Sequence, residues 1–263
     1  MPATDLVREI VTAPRESALL LDFDGTLSPI VLNPASARPL PGAGSILREL
    51  ASSLAVVGVI SGRPLRFLET FFDPSIRLAG LYGLERCVAG VHWEHPESER
   101  WRAVVSQVAL AAERAVPAGV FVENKGVSIT VHFRDRPACG PAVMTLAAEL
   151  SAAAGLQIRP AKQSVELHPP SSTDKGSVVL DWAGDVHSAN AGPVVYFGDD
   201  HGDLPAFRAL RQLREFGRSA FSVAVAGQET PAELVAESDL VVAGPAGVLG
   251  QLSALAAALA AAS

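Results

Sequence analysis

Short apolar runs bounded by Gly, Pro and Asp recur in the first and last thirds of the chain. Because apolar and polar residues do not alternate within them, these runs are typical of strands buried on both faces of a sheet. The runs that we interpret as such strands cover 18–23, 54–60, 194–197, 221–225 and 240–242. Helical patterns lie between them, for example at 41–53 and 203–213. This order predicts a parallel sheet with helices on both sides.

The middle of the chain has a different pattern, in which each of two helical stretches precedes a pair of strands. The helical stretches end near Pro117 and Ala154, and the strand patterns cover 119–122, 127–133, 156–159 and 164–168. We therefore predict an α/β fold with two domains. A Rossmann-like core with a parallel sheet, formed by 1–101 and 170–263, carries an inserted smaller α/β cap domain, 102–169.

The composition favours a globular protein without a nucleic-acid partner. Of the 263 residues, 49% are hydrophobic and 19% are charged, far from the profile of chains that cannot bury enough surface to fold. The formal net charge is −7, and no Lys/Arg cluster is present to bind a phosphate backbone. Any anionic ligand must therefore be bound by a few local groups. No obligate protein partner is evident.

Three features lead us to expect a cytoplasmic location. Cys87 and Cys139 have neither a disulfide spacing nor a metal-site spacing, so we interpret both as inert thiols in a reducing compartment. Charged residues such as Asp5 and Arg8 stand where an export signal needs an apolar run. The Ala-rich tail 252–262 is shorter than the roughly 20 apolar residues of a membrane span, which predicts a surface or core helix.

Two carboxylates directly follow the first apolar run. Residues 19–27 read Leu-Leu-Leu-Asp-Phe-Asp-Gly-Thr-Leu, which places Asp22 and Asp24 at the carboxyl end of a strand, where open parallel sheets bind ligands. Gly25 allows a sharp turn there. If the strand stays regular, both carboxylates lie on one side, and such crowding favours a bound divalent cation with oxygen ligands. An ordinary acidic loop is the alternative.

A second acidic cluster follows another apolar run. Residues 196–203 read Tyr-Phe-Gly-Asp-Asp-His-Gly-Asp, so Asp199, Asp200 and Asp203 also lie at a strand end. With Asp22 they can complete an oxygen-rich magnesium site, in which Asp199 has the strongest claim to contact the metal. Asp200 and Asp203 are also suited to capping the next helix, and for Asp203 the two roles are compatible.

Two shorter segments offer groups that bind phosphate. The strand at 54–60 ends in Ser61-Gly62-Arg63, which places a hydroxyl and a flexible backbone near a ligand, although Ser61 taken alone is more typical of a helix N-cap. Lys175 opens a predicted helix just after the chain returns from the cap domain. Taken alone, Lys175 would be interpreted as a solvated surface charge.

Taken in order, these four segments resemble the motifs of the haloacid dehalogenase superfamily of phosphohydrolases, and the resemblance covers the whole chain. It implies that Asp22 is the nucleophile and Asp24 the general acid and base, while Ser61 and Lys175 hold the phosphate. It also implies that Mg²⁺ is bound by the Asp22 and Asp199 side chains and the Asp24 backbone carbonyl. The remaining implied positions are Asp200 and Asp203, which support the metal, and Gly25, Thr26, Gly62 and Arg63 at the substrate.

Within this superfamily, the sequence is most similar to the trehalose-6-phosphate phosphatases. The segments that carry this likeness are 22–30 (DFDGTLSPI), 81–85 (LYGLE), 122–126 (VENKG), 132–134 (HFR) and 165–167 (VEL). The family usually has His-Tyr-Arg where Phe133 stands here, which removes a hydroxyl. Its last motif often reads GDDxTDE, whereas 198–204 read GDDHGDL.

This resemblance implies a phosphatase that hydrolyses trehalose 6-phosphate through an aspartyl-phosphate intermediate, in trehalose biosynthesis. The cap residues at matching positions, which are implied to bind the disaccharide, are Glu123, Lys125, His132, Arg134 and Glu166. Sugar hydroxyls need such fixed donors and acceptors. The alternative is that these side chains are the solvent-facing positions of a half-exposed sheet.

Two rival functions remain open at this point. A related phosphatase for another phosphosugar, such as mannosyl-phosphoglycerate, would have the same core motifs and differ only in the cap. A phospho-accepting signalling receiver also has acidic residues, a hydroxyl and a Lys at a sheet edge. A receiver, however, would need neither Asp24 as a leaving-group acid nor an insertion of this size.

Overall fold

The computed structural model describes residues 3–31, 33–161, 163–186 and 192–262. In chain order, its helices are α1 Ala3–Thr12, α2 Ala43–Ser53, α3 Leu65–Leu68, α4 Ser98–Ala115, α5 Gly140–Ala154, α6 Lys175–Gly184, α7 Leu204–Glu215, α8 Ala232–Ala236 and α9 Gly244–Ala262. Its strands are β1 Ala18–Leu21, β2 Val56–Ile60, β3 Arg77–Gly80, β4 Glu85–Val88, β5 Val91–Glu94, β6 Phe121–Asn124, β7 Ile129–His132, β8 Gln157–Ala161, β9 Ser164–His168, β10 Val194–Gly198, β11 Ala220–Ala226 and β12 Leu240–Ala243.

The chain divides into two compact units. The larger unit comprises Met1–Trp93 and Thr173–Ser263, and the smaller unit comprises Glu94–Ser172. The smaller unit is wider at both ends than the predicted cap, 102–169, because α4 already begins at Ser98.

The main sheet has the strand order β12-β11-β10-β1-β2-β3-β4-β5 within the described residues. The pairings from β12 to β3 are all parallel, which confirms the predicted parallel sheet. Strand β4 pairs antiparallel with β3, and the β4–β5 hairpin that extends this edge was not predicted. Strand β5 is exposed along its whole length, so it lacks the apolar run by which β1, β2, β10, β11 and β12 were recognised. Strand β3 was not predicted either.

At the centre of the main sheet both faces are buried, as the uninterrupted apolar runs predict, whereas the edge strands β5 and β12 are largely exposed. Leu19 and Leu21 of β1 point into one hydrophobic cluster, which also contains side chains of α1, α2 and α9. Leu20, between them, lies in a second cluster with Tyr196 and with Trp182 of α6. The β1 side chains therefore alternate between two cores, and the strand is buried throughout.

Helix α9 is longer than the predicted tail, 252–262, because it begins at Gly244. Its 19 residues are long and apolar enough to cross a membrane, but length and composition alone do not distinguish such a span from a core helix. Val248, Leu252, Leu255 and Leu259 are buried in the hydrophobic cluster on one face of the sheet. Those four residues follow helical spacing, so they form one apolar stripe by which α9 packs in the core.

The smaller unit contains an antiparallel sheet with the order β6-β7-β9-β8. The predicted neighbouring strands β6 and β7 do pair, with Phe121 opposite His132. Helices α4 and α5 contribute Val105 and Val143 to a hydrophobic cluster with Val131 and Leu167 of the sheet. The unit therefore has a core of its own.

Candidate active site

The three strands at the centre of the main sheet end beside one another. Because β10, β1 and β2 are adjacent and parallel, the residues that follow them lie at the same edge. Asp22 follows β1, Ser61 follows β2 and Asp199 follows β10. The fold thus brings together segments that are far apart in the sequence.

Lys175 connects two of the predicted carboxylates. Its Nζ donates a hydrogen bond of 2.6 Å to Asp22 Oδ1 and one of 2.7 Å to Asp203 Oδ1. All three side chains are buried, so the predicted alternative of a solvated Lys175 is wrong. Asp174 caps α6 by accepting a hydrogen bond from the Ser177 backbone, and the helix begins at Lys175 as predicted.

Asp203 is the most strongly bound of these carboxylates. Its Oδ1 also accepts a 2.6 Å hydrogen bond from the Tyr196 hydroxyl, and its Oδ2 accepts hydrogen bonds from the backbone N–H groups of Asp199 and Asp200. Burial raises the pKa of Asp203, but Lys175 and these hydrogen bonds outweigh it, and the pKa is lowered. The lowered pKa favours the ionised form of Asp203, and its support of a metal site stays a prediction.

The pKa of Asp22 is shifted in the opposite direction from that of Asp203. Burial raises its pKa, and although Lys175 opposes this effect, the charges of Asp203 and Asp199 raise the pKa further, to well above its usual range. Like charges thus crowd this side chain. A cation beside Asp22 would relieve that repulsion.

The carboxylates of Asp22, Asp199 and Asp203 form a group that can hold a metal ion. One oxygen from each lies within 4.8 Å of the others, and all three residues are buried. Oxygen ligands suit hard divalent cations. Gly25 has a φ of +82°, and a Cβ atom there would lie 1.9 Å from Asp199 Oδ2, so the chain passes directly against this carboxylate. These residues therefore fit a bound divalent cation. We call these three residues and Lys175 the Lys175 cluster.

Asp200 lies at the edge of this group rather than within it. Its Oδ1 accepts a 2.8 Å hydrogen bond from the Gly202 N–H, so it caps the short 3₁₀ turn before α7. The capping role that the sequence allowed for Asp200 is thus observed.

The side chain of Asp24 has a different partner from that of Asp22. Arg63 donates two parallel hydrogen bonds of 2.7 Å, from Nε and Nη2, to the two carboxylate oxygens of Asp24. Arg63 is itself fixed, because Nη1 binds the Pro34 carbonyl and the guanidinium stacks over Phe67. Such a forked pair sets the orientation of a carboxylate. Arg63 was predicted at the substrate, and in this structure it holds Asp24.

The other predicted phosphate-binding positions lie close to this edge. Ser61 is buried, and its Oγ accepts a 3.2 Å hydrogen bond from the Arg63 N–H, whereas Pro64, not Ser61, occupies the N-cap of α3. Thr26 is fully buried, and its hydroxyl has no hydrogen-bond partner among the described residues. A Cβ atom at Gly62 would lie 2.8 Å from the Tyr82 ring.

Sequence reasoning missed Tyr82 as a site residue. Its ring lies against Gly62 and near Gly202, and the ring centroid is 5.9 Å from Lys175 Nζ. Leu81 and Tyr82 both have positive φ, at 49° and 59°, which is uncommon for residues other than glycine. Backbone strain of this kind clusters at functional sites. The motif 81–85 carried the family likeness, but nothing in it indicates a left-handed backbone.

In the smaller unit, Glu166 is buried among cations. Its oxygens accept a 2.8 Å hydrogen bond from Ser128 and a 3.1 Å one from Arg159, and Lys125 Nζ lies 3.6 Å away. Burial raises the pKa of Glu166, but Lys125, Arg159 and Ser128 outweigh it and lower the pKa to about 2. The predicted alternative of a solvent-facing Glu166 is wrong, since it is 2% exposed. We call these four residues the Glu166 cluster.

The remaining cap positions lie on and after the strands of the same sheet. His132 Nε2 and Glu123 Oε2 are 2.9 Å apart, and the His132 ring stacks on Phe121. Arg134 follows β7 and is half-buried. Glu123 and His132 thus form a partly exposed polar pair on β6 and β7.

Comparisons with known proteins show which family and which fold this chain shares. The profile of the trehalose-phosphatase family matches residues 20–239. The trehalose-phosphate phosphatase of Mycobacterium avium is 35% identical over 209 residues, covering 76% of this chain and 52% of that protein. An uncharacterized glycosyl hydrolase of Mycobacterium tuberculosis is 36% identical over 211 residues, covering 75% of this chain and 15% of that protein.

The chain therefore spans about half or less of these relatives' length. Among solved structures, the C-terminal domain of trehalose-6-phosphate phosphatase from Candida albicans has a TM-score of 0.79 at 22% identity, covering 98% of this chain and 97% of that chain. This likeness shows a shared fold. Because the family profile covers most of the sequence, this chain belongs to the trehalose-phosphatase family.

Proposed function

We propose that this chain hydrolyses trehalose 6-phosphate to trehalose and inorganic phosphate, with Mg²⁺ as cofactor and a phosphosugar as its small-molecule partner, in the cytoplasm. The observation that carries the proposal is the Lys175 cluster, in which a buried lysine and three carboxylates converge at one sheet edge. Family membership supports the substrate class. It also favours a phosphatase over a signalling receiver.

In the first step, an oxygen of Asp22 attacks phosphorus, and the bond from phosphorus to the sugar oxygen breaks. The product is an aspartyl-phosphate, which divides one difficult displacement into two. Lys175 holds Asp22 in place and supplies positive charge beside the phosphoryl group. Mg²⁺, bound by Asp22, Asp199 and the Asp24 carbonyl, would neutralise the phosphoryl oxygens when present.

Asp24 transfers protons in both steps. It gives a proton to the departing sugar oxygen. In the second step it takes a proton from a water whose oxygen attacks phosphorus, while the bond from phosphorus to Asp22 breaks and inorganic phosphate leaves. Arg63 binds both oxygens of Asp24, but each oxygen keeps a second lone pair, and the side chain is 33% exposed. Asp24 can therefore exchange a proton while its orientation stays fixed.

The sugar is bound by polar side chains of the smaller unit in this proposal. Glu123, His132 and Arg134 offer donors and acceptors for hydroxyl groups. Glu166 is buried and acts through Lys125, whose ammonium group it positions. The side chains of the smaller unit alone would then determine the preference for trehalose 6-phosphate over another phosphosugar.

Phosphate release from a substrate panel tests the proposal. The panel contains trehalose 6-phosphate, mannosyl-phosphoglycerate, a hexose 6-phosphate and a small aryl phosphate, each with Mg²⁺ and with EDTA. We expect the highest kcat/KM for trehalose 6-phosphate, and loss of turnover in EDTA that added Mg²⁺ restores. A higher value for another phosphosugar would overturn the substrate, and full activity in EDTA would overturn the metal requirement.

A further inference from the structure

A second group of metal-ligating side chains lies in the larger unit, outside the Lys175 cluster. Ligand atoms of Glu69, Cys87 and His92 lie within 4.8 Å of one another. Glu69 is the C-cap residue of α3, Cys87 belongs to β4, and His92 belongs to β5. The three residues are thus supplied by three different elements, and none of them takes part in the proposed phosphatase chemistry.

The β4–β5 hairpin explains why Cys87 and His92 meet. Only Ala89 and Gly90 separate the strands, and their φ values of 50° and 78° are those of a two-residue turn with both central residues left-handed. Such a turn places the residues before and after it opposite each other in sequence order. Arg86, next to Cys87, stacks on Trp93, next to His92, as expected for the neighbouring cross-strand pair.

The cluster is half buried and half open to solvent. Cys87 is 5% exposed and belongs to the hydrophobic cluster, whereas the side chains of Glu69 and His92 are 35% and 61% exposed. His92 Nε2 lies 2.5 Å from Glu69 Oε1. A surface ion pair of this kind contributes little to stability by itself. The buried sulfur beside it is what distinguishes this group from an ordinary surface pair.

We propose that Glu69, Cys87 and His92 bind a divalent cation of the zinc class. One sulfur, one imidazole nitrogen and one carboxylate oxygen are the ligands that Zn²⁺ accepts in tetrahedral sites, whereas Mg²⁺ and Ca²⁺ require oxygen. Three protein ligands leave the fourth position for water. The exposed Glu69 and His92 side chains are free to separate by the small distance that a shared metal between them needs.

A cation at this site would have to displace the proton of the Cys87 thiol. Burial and the charge of Glu69 raise the pKa of the Cys87 thiol, while a hydrogen bond from the Gly90 backbone favours the thiolate. Binding forms a sulfur–metal bond and releases the thiol proton to solvent, so the cation replaces the proton that Cys87 carries otherwise.

With a bound cation, the short helix α3 would be joined to the hairpin at both of its ends. At its start, the Leu65 N–H already donates a 2.7 Å hydrogen bond to Glu85 Oε2 of β4. At its end, the cation would join Glu69 to β4 and β5. The segment 61–63, which orients Asp24 through Arg63, would thus lead into a helix that the hairpin holds at both ends.

Cobalt(II) binding to the full chain tests this site. The protein is kept reduced, and excess Mg²⁺ occupies any site with oxygen ligands alone. We expect one equivalent of Co²⁺ to give a thiolate-to-cobalt charge-transfer band in the near ultraviolet and intense tetrahedral bands in the visible. Zn²⁺ should displace Co²⁺ and abolish both. Absence of the thiolate band in the wild-type protein would overturn the site.

Variants separate this site from incidental thiol binding. Cys87→Ser should lose the charge-transfer band, whereas Cys139→Ser, which changes the other cysteine of the chain, should keep it. His92→Asn alters an exposed side chain and should weaken Co²⁺ binding roughly 10- to 100-fold. This variant tests the site even if Cys87→Ser fails to fold. A band that survives Cys87→Ser, or wild-type affinity in His92→Asn, would refute the proposal.

Discussion

The two buried charged clusters of this protein have opposite compositions. In the Lys175 cluster, one ammonium group faces three carboxylates, and the pKa of Asp22 is raised. In the Glu166 cluster, one carboxylate faces Lys125 and Arg159, and its pKa is lowered to about 2. Burial acts in the same direction on both carboxylates, so the difference comes from their neighbours. The first cluster has an excess of negative charge that suits a cation, whereas the second has an excess of positive charge.

The largest effect is expected from Asp22→Asn. The amide cannot attack phosphorus, so turnover of trehalose 6-phosphate should fall roughly 10⁴- to 10⁶-fold, as for other nucleophile removals. Circular dichroism should show an intact fold. The Asp5→Asn variant, which changes a partly exposed side chain of α1, serves as the control and should keep wild-type activity. Substantial turnover by Asp22→Asn would remove the covalent step from the mechanism.

The next largest effect distinguishes the two lysines of these clusters. Lys175→Ala leaves Asp22, Asp199 and Asp203 without their buried ammonium group, and should reduce the free energy of unfolding by about 3–5 kcal/mol without Mg²⁺. Lys125→Ala leaves Glu166 with Arg159 and should cost less. Urea unfolding of both variants measures this difference. Equal losses would show that the two clusters do not differ as their charges indicate.

Glu166 should give the chain a defined pH dependence. Because the pKa falls from 4.5 to about 2 on folding, the ionised carboxylate stabilises the protein fully above pH 4.5, and this contribution is lost as the pH falls towards 2. Glu166→Gln should therefore lower the free energy of unfolding by on the order of 3 kcal/mol at pH 7. The difference in the free energy of unfolding between this variant and the wild type should become smaller below pH 4.5.

The control for this pH dependence is Glu149→Gln, at an exposed position of α5, which should change stability by less than about 0.5 kcal/mol. Urea unfolding at pH 7 and at several values below 4.5 measures both differences. A gap between wild type and Glu166→Gln that stays constant with pH would contradict the assignment of a lowered pKa to Glu166.

The smallest effect is specific to the substrate. Glu123→Ala should reduce kcat/KM for trehalose 6-phosphate roughly 10- to 100-fold, because a lost hydrogen bond to a sugar hydroxyl lowers discrimination. Hydrolysis of a small aryl phosphate, which has no sugar, should change little. A parallel measurement of both substrates gives the ratio. Equal losses would argue against the smaller unit as the part that binds the sugar.

Much of the core site could be predicted because uninterrupted apolar runs identify buried parallel strands. Asp22 and Asp199 directly follow two such strands, whereas the fact that β1 and β10 are neighbours is not contained in the runs themselves. The start of α6 at Lys175 also follows from a local signal, the Asp174 cap. The predicted start of α2 was less accurate. The helix begins at Ala43, after Gly42 with a φ of +90°, and Pro41 lies outside it.

Other contacts depend on tertiary structure that no local pattern contains. The fork from Arg63 to Asp24 joins residues 39 positions apart in the sequence. The alternative of a solvent-facing Glu166, which strand alternation allowed, fails because β9 is an inner strand of its sheet and Ser128 and Arg159 bind the carboxylate. The spacing of Cys87 gave no sign of a metal site because its partners come from other elements.

The hydrogen bonds of Asp203 set a limit on how this scaffold can be altered. Four donors share its two oxygens, and an asparagine there would turn an NH₂ group towards two of those donors. Redesign of the loop 199–203 would therefore disrupt these hydrogen bonds. A laboratory seeking a catalyst for a different phosphate ester would leave this segment untouched and randomise the polar positions of β6 and β7 instead.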